Sequence, residues 1–173
     1  MKLAFNIIIV SFFSTIFISS PVFSKTSSAE YLIKVGGIGI GKVFWSVIYK
    51  KENYKINIKL QDKGVFSGIY KFEGNYSTEG IYKDGKMIPT SYKQEWKTKK
   101  KKRNVEIFFT NKVVTNLTIA PKETEHARID IKSVKNLNDP LTSFLNIINN
   151  DKVSKTTDGR RLYKMVLKNN QIL

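Results

Sequence analysis

Two stretches of the chain carry the clearest hydrophobic patterns, and they predict different elements. Residues 54–61 alternate between apolar and polar with a period of two, which is typical of a strand with one buried face. In residues 138–150, four apolar residues recur at the spacing of a single helical stripe: Leu141, Phe144, Leu145 and Ile148. Asp139 can cap this helix, and Pro140 suits its first position because that N–H would have no partner.

Most of the remaining chain between residues 25 and 137 has the character of strands. The predicted strands cover residues 31–35, 43–49, 54–61, 66–82, 87–96, 104–109, 112–120, 127–134 and, after the helix, 162–167. Residues 83–86 are typical of a hairpin turn, and residues 25–29 are expected to be a mobile lead-in. The pattern predicts a mainly β domain, a curved antiparallel sheet forming a half-barrel or open barrel, with one helix on its concave face.

The apolar faces of the strands and helix have two possible uses. They form a packed core, or, if the sheet curls without filling its interior, they line an apolar pocket. The pocket candidates are Tyr54, Ile56, Ile58, Tyr70, Phe72, Tyr76, Leu141, Phe144, Leu145 and Ile148.

Glycines are dense between residues 36 and 41. Such density predicts bulges or a sharp bend in a strongly curved sheet. A phosphate-binding loop is the alternative. It is disfavoured because the spacing is not Gly-x-Gly-x-x-Gly and residues 43–49 continue as a strand instead of opening a helix.

Residues 1–24 resemble a secretory signal peptide. Lys2 precedes an almost wholly apolar run over residues 3–18, and Ser19, Ser20 and Pro21 end it before a predicted cleavage after Ser24. An uncleaved anchor is the alternative, but Asn6 and several hydroxyl residues interrupt a run that falls short of the ~20 apolar residues a span needs. The sequence therefore predicts export of a single domain, residues 25–173, without a transmembrane span.

The chain is strongly basic, with 30 Lys and Arg against 14 Asp and Glu and a formal charge of +16. This balance favours acidic partners such as anionic lipid headgroups or lipopolysaccharide, although scattered lysines also simply solvate a surface. A basic run falls between two predicted strands, where a solvated hairpin tip is expected. Its candidates for contact with an anionic surface are Lys97, Lys99, Lys100, Lys101, Lys102 and Arg103. Nucleic acid is disfavoured because no basic recognition helix is visible.

The residues needed for catalysis are scarce. There is no cysteine, and His126 is the only histidine. Zinc sites without cysteine seldom rest on one imidazole, and no pattern brings two of the carboxylates together as a glycosidase pair. The sequence predicts no catalytic residue, no metal and no cofactor, and it favours a protein that is not an enzyme.

Several segments resemble the exported Gram-negative bacterial family known as domain of unknown function 3108. They are Tyr31, Gly36-Gly37-Ile38 and Gly41, then Gly80 and residues 89–92, then residues 139–143 and finally residues 158–163. The resemblance implies an exported, mostly antiparallel β-protein of unknown role with no catalytic residues to transfer. Members usually continue further past the last segment, so the resemblance also implies that this domain is truncated at its C-terminus.

Two hypotheses follow for the function. The first is a non-enzymatic periplasmic protein whose sheet and helix bind an apolar or amphipathic envelope component, by fold-level analogy with lipid and lipoprotein carriers. The second is an envelope interaction protein with a packed core that binds anionic surfaces through the basic hairpin. An enzyme is the third and least favoured reading. An open edge at the last strand would also permit pairing between copies.

Overall fold

A computed structural model describes residues 24–68, 71–124, 129–149, 153–158, 162–168 and 171–172. Seven strands follow one another along the chain: β1 Ser24–Val35, β2 Ile38–Lys50, β3 Asn53–Asp62, β4 Phe72–Lys83, β5 Lys86–Thr98, β6 Lys102–Thr110 and β7 Val113–Ala120. Each strand pairs antiparallel with the next, in the order β1 to β7, and the sheet does not close on itself. The predicted fold class, a mainly β protein with an open antiparallel sheet, is confirmed.

Short turns set the register of this sheet. Asp84 and Gly85 both have positive φ, 51° and 74°, as the two central residues of a type I′ hairpin require. Gly36 and Gly37 turn β1 into β2 with φ of 55° and 82°, and the register shifts between Ile33 and Lys34. The predicted hairpin turn and glycine-associated bulge are therefore both present.

Alternation along each strand produces an apolar face, which we call the inner face. One row of directly paired residues crosses six strands on it: Val47, Ile56, Thr78, Tyr92, Ile107 and Leu117. All but Leu117 are buried. The polar member of this row, Thr78, lies near its middle, where a side chain from the helix reaches it.

The α-helix, α1, spans Pro140–Ile148 and packs on the inner face. As predicted, Asp139 is its N-cap and Pro140 its first residue. Three further strands follow, β8 Val153–Thr157, β9 Leu162–Lys168 and β10 Gln171–Ile172, which form a second, three-stranded sheet. A parallel bridge between Asn138 and Thr156 joins β8 to the segment just before the helix. Among the described residues, no helix is long and apolar enough to cross a membrane.

The structure corrects several predicted elements. The lead-in at residues 25–29 is paired strand, because β1 extends back to Ser24 along β2. Residues 64–67, which overlap the start of the strand predicted at 66–82, form a short 3-10 helix, and so do residues 131–133 within the strand predicted at 127–134. Strands β8 and β10 were not predicted. Residues 127 and 128, the first two of the strand predicted at 127–134, lie outside the described residues.

Candidate functional site

The inner face has two halves, and α1 covers one of them. This covered half contains the row through Thr78 and the side of the sheet toward the turn at residues 84–85. Its central polar residue is Asp139, which is fully buried. One carboxylate oxygen, Oδ1, accepts three hydrogen bonds, from Leu141 N at 2.9 Å, Thr142 N at 3.1 Å and Thr78 Oγ1 at 2.7 Å. Asp139 thus both caps the helix and ties it to β4.

The second carboxylate oxygen of Asp139, Oδ2, is buried and accepts no hydrogen bond from the described residues. Burial raises the pKa of Asp139 above its ordinary value because a charge is costly away from water. The bonds from Thr142, Thr78 and Leu141 favour the charged form and offset this effect only in part. The site therefore favours a neutral carboxyl at a higher pH than an exposed aspartate would.

Two buried tyrosines surround this carboxyl. The Tyr54 hydroxyl lies 2.7 Å from Thr142 Oγ1, so β3 is also tied to the helix. Tyr92 on β5 donates to Gln94 Oε1 at 3.1 Å. Burial and the nearby Asp139 charge raise the pKa of both tyrosines, which keeps their hydroxyls neutral. Tyr54, Thr142, Asp139 and Thr78 thus form a buried polar network between the helix and the sheet, with Tyr92 beside it.

A second polar contact holds the far end of the helix. Asn146 Oδ1 accepts from Met87 N at 2.9 Å, and Asn146 Nδ2 donates to Met87 O at 3.0 Å. The pairing of β5 with β6 begins only at Ser91, so Met87 has no β6 partner. The amide of Asn146 takes the place of that missing strand by satisfying both backbone groups of Met87.

The other half of the inner face, which we call the open half, runs toward the tip at residues 99–101. Its paired rows carry large apolar side chains that are only partly buried: Val43, Trp45, Ile58, Leu60, Phe72, Tyr76 and Trp96. The helix reaches only its border, where Phe144 meets the edge of Trp45 with 5.8 Å between ring centroids. Phe72 and Trp96 stack with centroids 6.5 Å apart.

A glycine makes room for the aromatic rings of the open half. A Cβ atom at Gly74 would lie 2.8 Å from the ring of Tyr76 and 3.3 Å from the ring of Phe72. Both rings therefore lean across Gly74, which brings them side by side on β4. The open half is a continuous aromatic surface between β2 and β5.

The structure divides the predicted pocket residues among different environments. Tyr54, Ile56, Leu141 and Leu145 are buried core residues in the covered half. Ile58, Phe72, Tyr76 and Phe144 are partly buried, and they lie in or beside the open half. Tyr70 lies outside the described residues.

The helical stripe is corrected at its end. Ile148 is 51% exposed, whereas Ile147 is 2% exposed and belongs to the buried set. Ile147 is buried because α1 contacts the second sheet as well as the first, so its covered surface is wider than the stripe predicted for one sheet. Ile148 is the last residue of the helix, and its side chain remains exposed.

The predicted anionic-surface residues also separate. The basic run does form the β5–β6 hairpin tip, with Lys100, Lys101 and Lys102 exposed. Lys99 donates to the carbonyl oxygen of Gly68, and Lys97 pairs with Glu73 at 2.8 Å. Arg103 does not belong to this surface.

The position of Arg103 follows from its register. Arg103 pairs with Trp96 and lies two residues before the buried Val105, so its side chain points to the inner face like that of Val105. There it forms an ion pair with Glu123 and is only 14% exposed. A run of like charges in the sequence cannot show that its last member has turned inward.

Other parts of the described chain offer less. A cavity of about 440 Å³ lies along β1 to β3, lined mainly by outward-facing side chains such as Phe44, Ser46, Asn57 and Lys59. No three of the described acidic, histidine or cysteine side chains gather as a metal site. His126 lies outside the described residues.

Sequence reasoning missed the polar network under α1. Thr142 and Asn146 are one helical turn apart and both face the sheet, but two polar residues at that spacing usually indicate a solvated side. Only the partners on β3 and β5 reveal their role. Asp139 was the one sequence feature that pointed to this network. The sequence predicted that it caps the helix but did not predict that it is buried.

Comparison with known proteins gives one match. A family model described as "Protein of unknown function (DUF3108)" matches residues 30–170. No curated protein and no solved structure matched the chain. The matched span contains nearly all of the seven-stranded sheet, the helix, β8 and β9, and it agrees with the resemblance found in the sequence. The chain belongs to the DUF3108 family.

Proposed function

We propose that this protein is exported to the periplasm and binds an amphipathic component of the cell envelope, with the apolar part of that component on the open half of the inner face. The observation that carries the proposal is the aromatic surface between β2 and β5, whose side chains remain partly exposed beside a closed core. Contiguous apolar surface that stays partly exposed can mark a binding site. The leader-like residues 1–24 support the compartment.

The chemistry of the open half suits an acyl chain. Its rings and aliphatic side chains provide apolar contact without requiring directed hydrogen bonds, and ligand pockets are commonly lined in this way. Catalysis is not part of the proposal, because Asp139 is fully buried under α1 and its Oδ1 is bonded within the fold. The polar network has a structural task, and we place the ligand on the open half.

The first test is native mass spectrometry with lipid extraction on the protein purified from the periplasm of its own cells. A stoichiometric bound amphipath supports the proposal. A clean mass of the folded protein without ligand contradicts it. The same measurement also gives the mass of the exported chain and so tests the predicted cleavage after Ser24.

A pair of variants locates the ligand. Ile58→Asn places an amide in the open half, while Ile148→Asn places the same amide on the exposed side of α1. The ligand should be lost from the first variant and retained by the second. Thermal unfolding of both variants checks that the first is folded. Equal retention by two folded variants would show that the ligand binds elsewhere.

A further inference from the structure

A second surface of the molecule has exposed apolar residues in an unusual concentration. Eleven large hydrophobic residues are exposed in the described chain, and five of them lie within eight positions around the β1–β2 turn: Tyr31, Leu32, Ile33, Val35 and Ile38. Val35 and Ile38 pair directly across Gly36-Gly37 and are 62% and 51% exposed. We call residues 31–38 the apolar tip.

Packing among the described residues does not explain the apolar tip. Successive residues of a strand point to opposite faces, so a hairpin that packs against a core needs apolar residues on one face only. Leu32 and Ile33 are neighbours in β1, point to opposite faces and are both exposed. The end of this hairpin therefore exposes apolar side chains on both faces, beside the exposed Lys34, which fits insertion among lipid headgroups better than contact with one surface.

The antiparallel order places two other connections beside the apolar tip. The β1–β2 turn, the β3–β4 connection and the β5–β6 tip all lie at the same end of the sheet. Direct contacts join them, because Lys63 N donates to Ile40 O at 3.0 Å and the Lys99 ammonium donates to Gly68 O. The apolar tip and the basic hairpin are parts of a single surface.

The charge of this surface is one-sided. Residues 34–40, 62–68, 71–72 and 98–102 contain seven lysines and one acidic residue, Asp62. All seven lysines are exposed: Lys34, Lys63, Lys71, Lys99, Lys100, Lys101 and Lys102. The turns at the opposite end, residues 50–53, 83–86 and 110–113, contain five lysines and two acidic residues. The net charge is therefore +6 over 21 residues at this end and +3 over 12 residues at the opposite end, so both ends are basic and the apolar tip distinguishes the first.

We propose that this end of the sheet docks on an anionic lipid bilayer, with Val35 and Ile38 entering the headgroup region and the lysines of the three connections contacting lipid phosphates. Apolar residues beside a group of lysines are the combination that interfacial membrane binding uses. Each lysine near an anionic surface adds to the attraction, and salt screens it. This docking is independent of the ligand proposed for the open half.

The test measures binding to vesicles by flotation. The protein is expressed with its own leader and purified in the form that the cell produces. Vesicles of phosphatidylcholine and phosphatidylglycerol in equal parts should bind it, and vesicles of phosphatidylcholine alone should bind it far more weakly. Equal binding to both compositions, or binding to neither, would overturn the proposal.

Two triple variants with the same change in charge compare the two ends. Replacing Lys100, Lys101 and Lys102 by glutamine should lower the partition coefficient on the order of 100-fold. Replacing Lys50, Lys51 and Lys83, which are also exposed but lie at the opposite end, should lower it less than about 3-fold because salt screens distant charges. Equal losses would mean that net charge alone drives binding, and the proposed orientation would be wrong.

Insertion of the apolar tip is tested by a site-specific fluorescent label. The chain has no cysteine, so Ile38→Cys and Ile148→Cys each provide one labelling site, and both positions are 51% exposed. An environment-sensitive dye at position 38 should shift to the blue on anionic vesicles, while the same dye at position 148 should not. The opposite pattern would contradict the proposal. Dimer formation would also contradict it, if the dimers were lost when Val35→Ser and Ile38→Ser were combined. A second copy of the chain would then cover the apolar tip.

Discussion

The two halves of the inner face share the same strands but are organised by different interactions. Under α1, buried polar groups fix the helix through directed bonds, from Thr78 to Asp139 and from Asn146 to Met87. In the open half, stacked rings such as Phe72 and Trp96 pack without such bonds and remain partly exposed. The open half can replace water by a ligand without leaving buried polar groups unsatisfied, whereas separating α1 from the covered half would break its hydrogen bonds. This difference explains why we assign binding to one half and structure to the other.

The sharpest way to disrupt the covered half is Asp139→Ala. The substitution removes the helix cap and leaves the Thr78 hydroxyl buried without its acceptor, so the free energy of unfolding should fall by about 2–5 kcal/mol. Denaturant unfolding measures it. Asp130→Ala is the matched control, because Asp130 caps an exposed 3-10 turn through Lys132 N. The control should cost less than about 1 kcal/mol, and a similar cost for both variants would refute the role of burial.

The next comparison contrasts two sides of α1. Leu145 is 7% exposed, so Leu145→Ala should cost about 2–4 kcal/mol through lost burial and a residual cavity. Ile148→Ala, on the exposed side, should cost less than about 1 kcal/mol. The same unfolding experiment checks both. If the two variants lost equal stability, the placement of Ile148 outside the buried set would be wrong.

The sequence predicted the strands and the helix well because their signals are local. Alternation over residues 54–61 and the cap and proline at the start of α1 depend on neighbours along the chain. The second sheet was harder to predict, since β8 is placed by its bridge from Thr156 to Asn138, a contact across many residues. Because that sheet also contacts α1, its omission left Ile147 out of the predicted buried residues.

The candidate site was predicted only in part for a related reason. Residue type identified Ile58, Phe72 and Tyr76 as apolar candidates, but it could not separate them from Tyr54 and Ile56, which have the same pattern. Their separation depends on where α1 ends over the sheet. That position is set by the side-chain bonds of Asp139 and Asn146, and no periodicity in the sequence encodes those bonds.

Asn146→Ala tests the substitute strand pairing at Met87. The variant leaves a buried N–H and a buried C=O without partners, and we expect a loss of about 2–3 kcal/mol. Hydrogen exchange of the Met87 amide should also accelerate, since its acceptor is gone. Asn75→Ala, an exposed asparagine on β4, is the control and should change neither quantity. A protected Met87 amide in the variant would show that another group satisfies it.

Asp139→Asn sharpens the comparison through pH. Because the folded-state pKa of Asp139 is raised above 3.8, the neutral carboxyl contributes stability that is present below the ordinary pKa and lost as pH rises through the folded-state pKa. The amide keeps one acceptor oxygen but cannot ionise. The variant should match the original protein in acid and exceed it at neutral pH, by about 1.4 kcal/mol for each pH unit between the two pKa values. The free energy of unfolding of both proteins, measured from acid to neutral pH, tests this prediction. If it changed with pH in the same way in both proteins, the raised pKa of Asp139 would be wrong.

The smallest expected effect compares the two halves within one strand. Trp96 and Tyr92 lie on the same face of β5, but Tyr92 is 2% exposed while Trp96 is only partly buried beside Phe72. Trp96→Leu should cost less than Tyr92→Leu, because leucine retains apolar contact and Trp96 is the less buried of the two side chains. Tyr92→Leu should cost clearly more, since it removes a buried ring and the partner of Gln94. If Trp96→Leu cost as much as Tyr92→Leu, the open half would belong to the core and would have no room for an acyl chain.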